Sequence, residues 1–474
     1  MTVDTKPQTF FAGPPAAQEH KEGSEELGVE YPVSEESDLP LVVQEFPEGG
    51  LAAWSTAFGS RLILFCSLGY TSSFGVYRDF YTEHYLTHET SFAISFIGSF
   101  NGSLGSTLRL ISGSLYDRGY FYHLVITGSL LQSFSLFMLS LAKPNQYFQV
   151  FLTHGLGSGI ALGLLHVPSL AIVSHYFKRR RTLVMTFATL GSLMGAIVYS
   201  IMLNNLLNGR VGFANGVRAS AGLTSVLLLV AYLCMRTRLD SPTTPVNYIA
   251  AAKKCLRDVP FIFAIVRAFL FLIGLYYPTS FLQLDSMKHG IDTTFLFYSL
   301  VIVNASSSVG RVTAGYIAAF TGVLNLIVIA AISCGSLILG MIGLGSLTSV
   351  VILGVLFGYC AGVYDSIVGP LVATLTPNPS ELGGWIYFFV GGFGNLIGNP
   401  ISGALLTSKY IWWKPALFSG IVSLAGAAMY IFMQFIYIRR QKKDESTRER
   451  QRSDTGYVET VYDGNRGTST KQAN

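Results

Sequence analysis

Residues Asn304 to Gly315 read Asn-Ala-Ser-Ser-Ser-Val-Gly-Arg-Val-Thr-Ala-Gly, inside a long apolar run in which Arg311 is the one full charge. An arginine at membrane depth is energetically expensive, so its side chain must face a bundle interior, a cavity or a partner charge. The small residues before it let a neighbouring helix or a ligand come close. The stretch therefore predicts a membrane helix with Arg311 facing inwards.

The composition supports this interpretation. Of the 474 residues, 50% are hydrophobic and 12% are charged, and the mean hydropathy is +0.45. Soluble domains carry about a quarter charged residues, so we predict a polytopic membrane protein. The net charge of +5 does not indicate nucleic-acid binding, because the basic residues lie mostly in short loops between apolar runs. The five cysteines have no paired spacing, and we expect no disulfide framework, metal site or cofactor.

A membrane-spanning helix needs roughly 20 apolar residues, and twelve runs of the sequence are long enough. They cover about 52–76, 91–114, 121–142, 147–172, 183–206, 213–235, 259–283, 293–317, 323–345, 348–374, 384–407 and 413–438. The predicted fold is therefore an all-α membrane protein with twelve transmembrane helices.

The polar segments divide the chain further. Residues 1–45 and 439–474 are predicted to be disordered cytosolic tails, because they are polar and show no apolar periodicity. The longest internal linker, 236–258, is predicted to be cytosolic and to separate two six-helix halves, 46–235 and 259–438.

The orientation follows from lysine and arginine in the loops. With the N-terminus inside, the predicted inner segments hold fourteen of these residues and the outer loops hold seven. This bias predicts that both termini are cytosolic.

Two short motifs recur in both halves. Arg109–Gly113 reads Arg-Leu-Ile-Ser-Gly and Arg311–Gly315 reads Arg-Val-Thr-Ala-Gly, while Gly191–Gly195 and Gly394–Gly398 both read Gly-X-Leu-X-Gly. The two pairs are displaced by 202 and 203 residues. Similar displacements of independent motifs indicate duplicated, pseudo-symmetric halves.

Longer motifs carry a family resemblance. They are Pro47–Gly50 with Trp54, Ser73–Tyr77, Gly113–Gly119, Tyr176–Arg181, and Gly394 with Gly398 and Pro400. With them the chain resembles the major facilitator superfamily, and within it the monocarboxylate-porter family, especially its fungal members. The resemblance implies two six-helix halves that bind a substrate near the midplane between them.

The sequence departs from this family at two positions. The family's lysine in helix 1 is absent, since its place falls near Thr71, and its aspartate one turn before the helix 8 arginine is Ser307 here. Because Arg311 alone carries over, neither proton coupling by the usual residues nor a lactate-like substrate is implied.

Candidate site residues follow from charge and position. Arg311 is a candidate to bind a carboxylate, because a guanidinium donates two parallel hydrogen bonds; the alternative is a structural arginine. Asp365 is a candidate proton carrier and a candidate partner of Arg311, or one half of a static salt bridge. His154 is a second candidate for proton coupling, although a satisfied core histidine is commoner.

Three further residues are candidate substrate contacts. Arg61 would raise the positive potential of a cavity, with snorkelling to the interface as the alternative. Asn304 and Asn395 would supply polar contacts, with interhelical hydrogen bonding as the alternative. Asp117, Arg118 and Arg109 are predicted to gate the cytosolic side.

These observations favour one function and leave three alternatives open. We expect a secondary transporter of an organic anion, a monocarboxylate or a related metabolite, working by alternating access with a proton as a candidate second partner. The rivals are an exporter of a secondary metabolite, an importer of a larger vitamin-like solute and a non-transporting nutrient sensor. No enzyme or ATP-binding motif is present, and a multi-pass protein of the plasma membrane is expected.

Overall fold

The computed structural model describes residues 48–178, 180–238, 253, 255–288, 293–375, 382–406 and 411–466. These residues form helices and connecting turns, and no strand occurs among them. The predicted N-terminal tail, 1–45, lies outside the described residues, as does most of the predicted linker at 236–258.

Each of the twelve predicted runs corresponds to a helix, numbered α1 to α12 in chain order. They are α1 Leu51–Tyr85, α2 in two segments Ser91–Thr107 and Arg109–Asp117, α3 Phe121–Leu139, α4 Tyr147–His175, α5 Arg181–Leu207, α6 Gly212–Cys234, α7 in two segments Val259–Leu275 and Tyr277–Lys288, α8 Thr293–Thr321, α9 Val323–Gly340, α10 Leu347–Leu375, α11 Leu382–Leu406 and α12 Trp413–Arg466.

Within the described part of the chain, nine helices are long and apolar enough to cross a membrane. The all-helical membrane fold is therefore confirmed. The other three helices, α2, α8 and α11, carry polar residues such as Asn101, Asn304 and Asn395 along their length. Polar side chains inside a membrane protein face the bundle interior. We still predict that these three helices cross the membrane, which would give twelve transmembrane helices.

Each of the large hydrophobic cores is formed by helices that follow one another in the chain. The largest core is built entirely from α7 to α12, which we call the C-terminal helix group. Two further cores are built from α1 to α6, the N-terminal helix group, with Leu300 of α8 as the one addition. Helix α2 packs along α11 and α5 packs against α8, so these four helices join the two groups.

Close packing of α8 on α10 depends on glycine. A Cβ atom at Gly310, Gly358 or Gly362 would clash with a backbone carbonyl oxygen of the facing helix, that of Tyr359, Val303 or Ser307 respectively. Small residues that bring backbones together are the usual basis of helix association in membranes. This contact fixes the distance between the side chains that α8 and α10 present to each other.

The Glu48 carboxylate caps the start of α5. Its Oε1 accepts a hydrogen bond from the backbone N–H of Lys178 at 2.8 Å, and its Oε2 accepts one from Arg180 at 3.1 Å. A carboxylate satisfies the unpaired N–H groups of a helix N-terminus and interacts favourably with the helix dipole. The Pro47–Gly50 motif therefore joins the start of α1 to the turn between α4 and α5.

The C-terminal segment differs from the sequence expectation of a disordered tail at 439–474. Helix α12 continues to Arg466, and the hydroxyls of Ser446 and Thr447 donate back to the Lys443 carbonyl. The physical reason is helix propensity: the segment is rich in Lys, Arg, Glu and Gln and contains no proline.

A matched pair of glycine substitutions tests the α8–α10 contact. Gly310→Ala places a Cβ against the Tyr359 carbonyl, whereas Gly315→Ala on the same helix has open space within 4 Å. Overpacking costs about 1–3 kcal/mol, and alanine in an open helix position gains up to about 1 kcal/mol over glycine. We expect Gly310→Ala to lower the thermal unfolding midpoint in detergent and Gly315→Ala to keep or raise it. Equal midpoints would contradict the close contact.

Candidate functional site

An ion pair joins α8 and α10. Nη2 of Arg311 donates to Oδ2 of Asp365 at 2.9 Å, with the two side chains 16% and 38% exposed. The hydroxyl of Ser366 also donates to the backbone oxygen of Arg311 at 3.3 Å. The pairing considered from the sequence is thus present in the structure, whereas the roles of both residues in binding and proton transfer stay predictions.

Arg109 reaches the same region from the N-terminal group. Helix α2 is interrupted at Leu108, and Arg109 begins its second segment. The Arg109 guanidinium lies 4.9 Å from the centre of the Phe388 ring on α11 and, within the described part of the chain, has no hydrogen-bond or ion-pair partner. It interacts electrostatically with Asp365. Its Nε atom is buried.

The two arginines converge on shared neighbours. Both Arg109 and Arg311 interact electrostatically with His166 of α4 and with Tyr276, between the two segments of α7. The arrangement therefore combines side chains from α2, α4, α8 and α10 with one from α7. Arg109 and Arg311 are also the first residues of the two copies of the repeated motif. The repeat is therefore the sequence feature that indicates their equivalent positions.

A cavity of about 140 Å³ adjoins this cluster. It is lined by Arg109, His166, Val167, Leu170, Ala171, Met185 and Phe388. Most of these residues come from the last turns of α4 and the first turns of α5, which face the predicted cytosolic end. The cavity thus has two polar side chains on a mostly apolar wall, as is usual for sites that bind small molecules.

The charges of this arrangement suit a negative ligand. Two guanidinium groups and one carboxylate leave one positive charge among these side chains, and opposite charges attract each other more strongly inside a protein than in bulk solvent. Guanidinium groups bind carboxylates through two parallel hydrogen bonds. Among the described residues, no group of three or more His, Cys, Asp or Glu side chains could hold a metal ion.

His154 lies elsewhere, in an aromatic cluster of the N-terminal group. Its Nδ1 is 3.2 Å from the Tyr81 hydroxyl, the ring of Tyr77 is 4.7 Å away, and Asn101 donates to its backbone oxygen at 2.8 Å. These contacts are typical of a core histidine, and none of its described contacts is with Arg311 or Asp365. Its role in proton coupling stays a prediction.

The other predicted substrate contacts also have partners of their own. Arg61 donates to the sulfur of Met194 and stacks on Phe187 at 4.5 Å, both on α5. Asn304 donates to the carbonyl of Leu300 one turn back at 2.9 Å. Neither interaction joins the Arg109–Arg311 cluster.

Asn395 of α11 lies against Gly102 of α2, where a Cβ atom would be 2.7 Å from its Nδ2. This is a packing contact between the two helix groups. Its role as a substrate contact stays a prediction.

Asp117 and Arg118, two of the three predicted gating residues, lie at the predicted cytosolic end of α2, whereas the third, Arg109, lies at the cavity. Their role in gating stays a prediction. The second segment of α2 ends at Asp117, and Arg118 after it is exposed. The neighbouring Tyr116 hydroxyl is 2.9 Å from Nε2 of His175, at the end of α4. The position of Phe388 and Arg109 in the cavity wall was not predicted from the sequence. Residue spacing along one helix does not show which side chains of the other helix group lie beside it.

Arg78 makes a contact between the two groups at the opposite, predicted outer end. Its guanidinium donates to the backbone oxygen of Ser280 on α7 and lies 3.8 Å from the centre of the Phe281 ring. Arg78 is only 2% exposed. Nearby, a Cβ atom at Gly75 of α1 would be 2.9 Å from Leu300. From the sequence, Arg78 counted only as an outer-loop charge.

Comparison with known proteins agrees with this architecture. Residues 63–349 match the Major Facilitator Superfamily. The chain is 33% identical to the agnestins efflux protein of Paecilomyces divaricatus over 422 residues, covering 86% of this chain and 96% of that protein. It is 30% identical to the aspyridones efflux protein of Emericella nidulans over 388 residues, covering 81% and 78%.

Solved structures share the fold. The chain superposes on the nucleoside transporter NupG with a TM-score of 0.61 at 15% sequence identity, covering 81% of this chain and 98% of that one. At this identity the likeness extends to the fold alone.

The Arg78 contact yields a prediction. Arg78→Ala removes a hydrogen bond from a charged donor, worth roughly 1.5–3 kcal/mol, and should loosen the predicted outer end. In a cysteine-free background with Thr71→Cys as the reporter, we expect a membrane-impermeant thiol reagent added outside to label it about tenfold faster. Arg218→Ala, which removes a contact only to Asn215, is the control. Equal labelling rates would show that Arg78 does not hold this end closed.

Proposed function

Because the chain belongs to the Major Facilitator Superfamily and is a multi-pass membrane transporter rather than an enzyme, we propose that it exports a small organic anion by alternating access. The observations that carry this proposal are the ion pair of Arg311 with Asp365 in one helix group and the position of Arg109, from the other group, in the wall of the cavity. A site that lies between the two groups is the kind that alternating access exposes to each side in turn.

The anionic substrate class is supported by the cost of burying charge. Arg109 is 9% exposed and the Arg311 side chain 16% exposed. Arginines shielded from water in this way are stabilised by negative charge, and Asp365 supplies only one negative charge. An organic anion that enters the cavity would supply the second. The apolar wall made by Val167, Leu170 and Met185 supports a substrate with an apolar body behind its charged group.

The direction of transport is supported by the relatives, since both proteins compared above are efflux proteins by name. The resemblance to monocarboxylate porters adds independent support for an organic anion.

We propose both termini in the cytosol and the plasma membrane as location. In that orientation the cavity lies in the cytosolic half, where a substrate made inside the cell would enter. Asp365 is the proposed carrier of a coupled proton.

Transport into inside-out membrane vesicles tests the proposal. We would compare pairs of labelled aromatic compounds of the same shape, a carboxylate and its primary amide, with and without a proton gradient directed toward the cytosolic face. We expect saturable accumulation of the carboxylate, faster with the gradient, and little accumulation of the amide, because only the carboxylate offers a charge to the arginines.

Two controls make the result specific. Vesicles without the protein measure passive entry, and Arg218→Gln, an exposed arginine outside the cluster, measures general effects of losing a positive charge. Equal transport of acid and amide would contradict the anion proposal. Accumulation of the acid by intact cells would favour import, and saturable binding without flux would favour a sensor.

A further inference from the structure

Building on the proposed export of an organic anion, we infer that the substrate is a monoanion and that Arg109 and His166, rather than Arg311, hold its charged group. The resemblance to monocarboxylate porters would assign that task to Arg311. In this structure, however, Arg311 is already paired with Asp365. Of the two arginines, Arg109 is therefore the one available to a ligand.

The two arginines occupy equivalent settings in the two helix groups. In the N-terminal group, a Cβ atom at Gly163 would lie 3.2 Å from the carbonyl oxygen of Gly105, the residue four before Arg109. In the C-terminal group, a Cβ atom at Gly362 would meet the carbonyl oxygen of Ser307, the residue four before Arg311. The contact of α2 with α4 thus repeats as the contact of α8 with α10.

This equivalence identifies the counterpart of Asp365. Asp365 is three residues after Gly362, and three residues after Gly163 stands His166. The position that supplies a carboxylate to Arg311 therefore supplies an imidazole to Arg109. An imidazole carries no negative charge in either protonation state, so it cannot neutralise Arg109.

Arg109 is consequently a buried cation with unused hydrogen-bonding capacity. It is 9% exposed, its Nε has no hydrogen-bond partner among the described residues, and the same is true of Nδ1 of His166. Both side chains line the cavity, whereas Arg311 and Asp365 do not. Unpaired buried polar groups are rare and costly, so two that meet at one cavity point to a ligand.

The chemistry of the ligand follows from the charge count. Within the described part of the chain, Asp365 is the one carboxylate that forms an ion pair with either arginine. One negative charge from the substrate therefore completes the neutralisation, which favours a monoanion over a dianion. The ring of Phe388 beside the Arg109 guanidinium offers a flat surface for a planar group that carries the charge.

Direct binding measurements test the assignment. Equilibrium binding of a labelled aromatic monocarboxylate to the purified full-length protein in detergent would be compared across variants. We expect Arg109→Gln to weaken binding by at least about tenfold, the usual effect of losing a charge-assisted hydrogen bond. We expect Arg311→Gln together with Asp365→Asn to weaken it less, because that double variant keeps both the net charge and the Arg109 contact.

A matched pair at the histidine separates a binding role from a folding role. His166→Asp recreates the Arg311–Asp365 arrangement beside Arg109 and should abolish binding while keeping or raising thermal stability. His166→Asn leaves Arg109 without a carboxylate and should bind more tightly than His166→Asp. Asp365→Asn releases Arg311 and should strengthen binding, a gain that misfolding cannot produce.

Two outcomes would overturn the assignment. Unchanged affinity in Arg109→Gln with loss in the Arg311→Gln and Asp365→Asn double variant would return the anion to Arg311. Equal affinity in His166→Asp and His166→Asn would show that the charge beside Arg109 is irrelevant. If the wild-type protein binds no monoanion but does bind neutral amides, the proposed function itself fails, and the variants are then not needed to decide it.

Discussion

The constraint on which this structure depends is the cost of placing arginine among membrane helices. A charged side chain there must find a partner charge, a polar group or water. Arg311 has a carboxylate, that of Asp365, at 2.9 Å. Arg267 of α7 is fully buried, and its guanidinium lies 3.3 Å from the centre of the Tyr430 ring. A cation over the face of an aromatic ring is stabilised by the ring quadrupole, and Arg267 is accordingly part of the core of the C-terminal group rather than of the cavity. Its three guanidinium nitrogens have no hydrogen-bond partner among the described residues, and Arg267 does not line the cavity.

The two remaining buried arginines act between the groups. Arg78 of the N-terminal group reaches a backbone oxygen and the Phe281 ring of the C-terminal group, so its interactions exist only while the predicted outer end is closed. Arg109 also crosses to the other group, toward the Phe388 ring, but the carboxylate that would complete its environment is absent. Arg311 thus has its carboxylate partner within its own group, whereas the contacts of Arg78 and Arg109 reach the other group. This division is what alternating access requires, because only the contacts between groups need to break.

The sequence was informative where local patterns decide the structure. Run lengths and hydropathy predicted a helix for each of the twelve runs, since burial of apolar residues in lipid requires them to be continuous. The partnership of Arg311 with Asp365 was also within reach, because an intramembrane arginine demands a carboxylate and few exist. The position of His166 beside Arg109 depends on the packing of α2 on α4, which no spacing along one helix reveals. The helical continuation of α12 to Arg466 lies in the predicted tail, where a charged, polar composition is common to disordered tails and to exposed helices.

The two equivalent helix pairs differ at one position, and this difference sets the charge at the centre of the protein. A duplicated helix pair with arginine on one helix and aspartate on the other would give two internal ion pairs and no net charge at the centre. Such a protein would have no electrostatic reason to bind an anion there. In this chain the C-terminal helix pair has Asp365, whereas the N-terminal pair has His166 at the equivalent position. The asymmetry leaves one arginine unpaired beside the cavity. Burial of this unpaired arginine lowers the stability of the protein, and a bound anion would restore that stability. A site whose stability depends on its ligand favours the conformation that encloses the ligand, and this coupling of occupancy to conformation is what a transporter needs in order to move substrate rather than to leak.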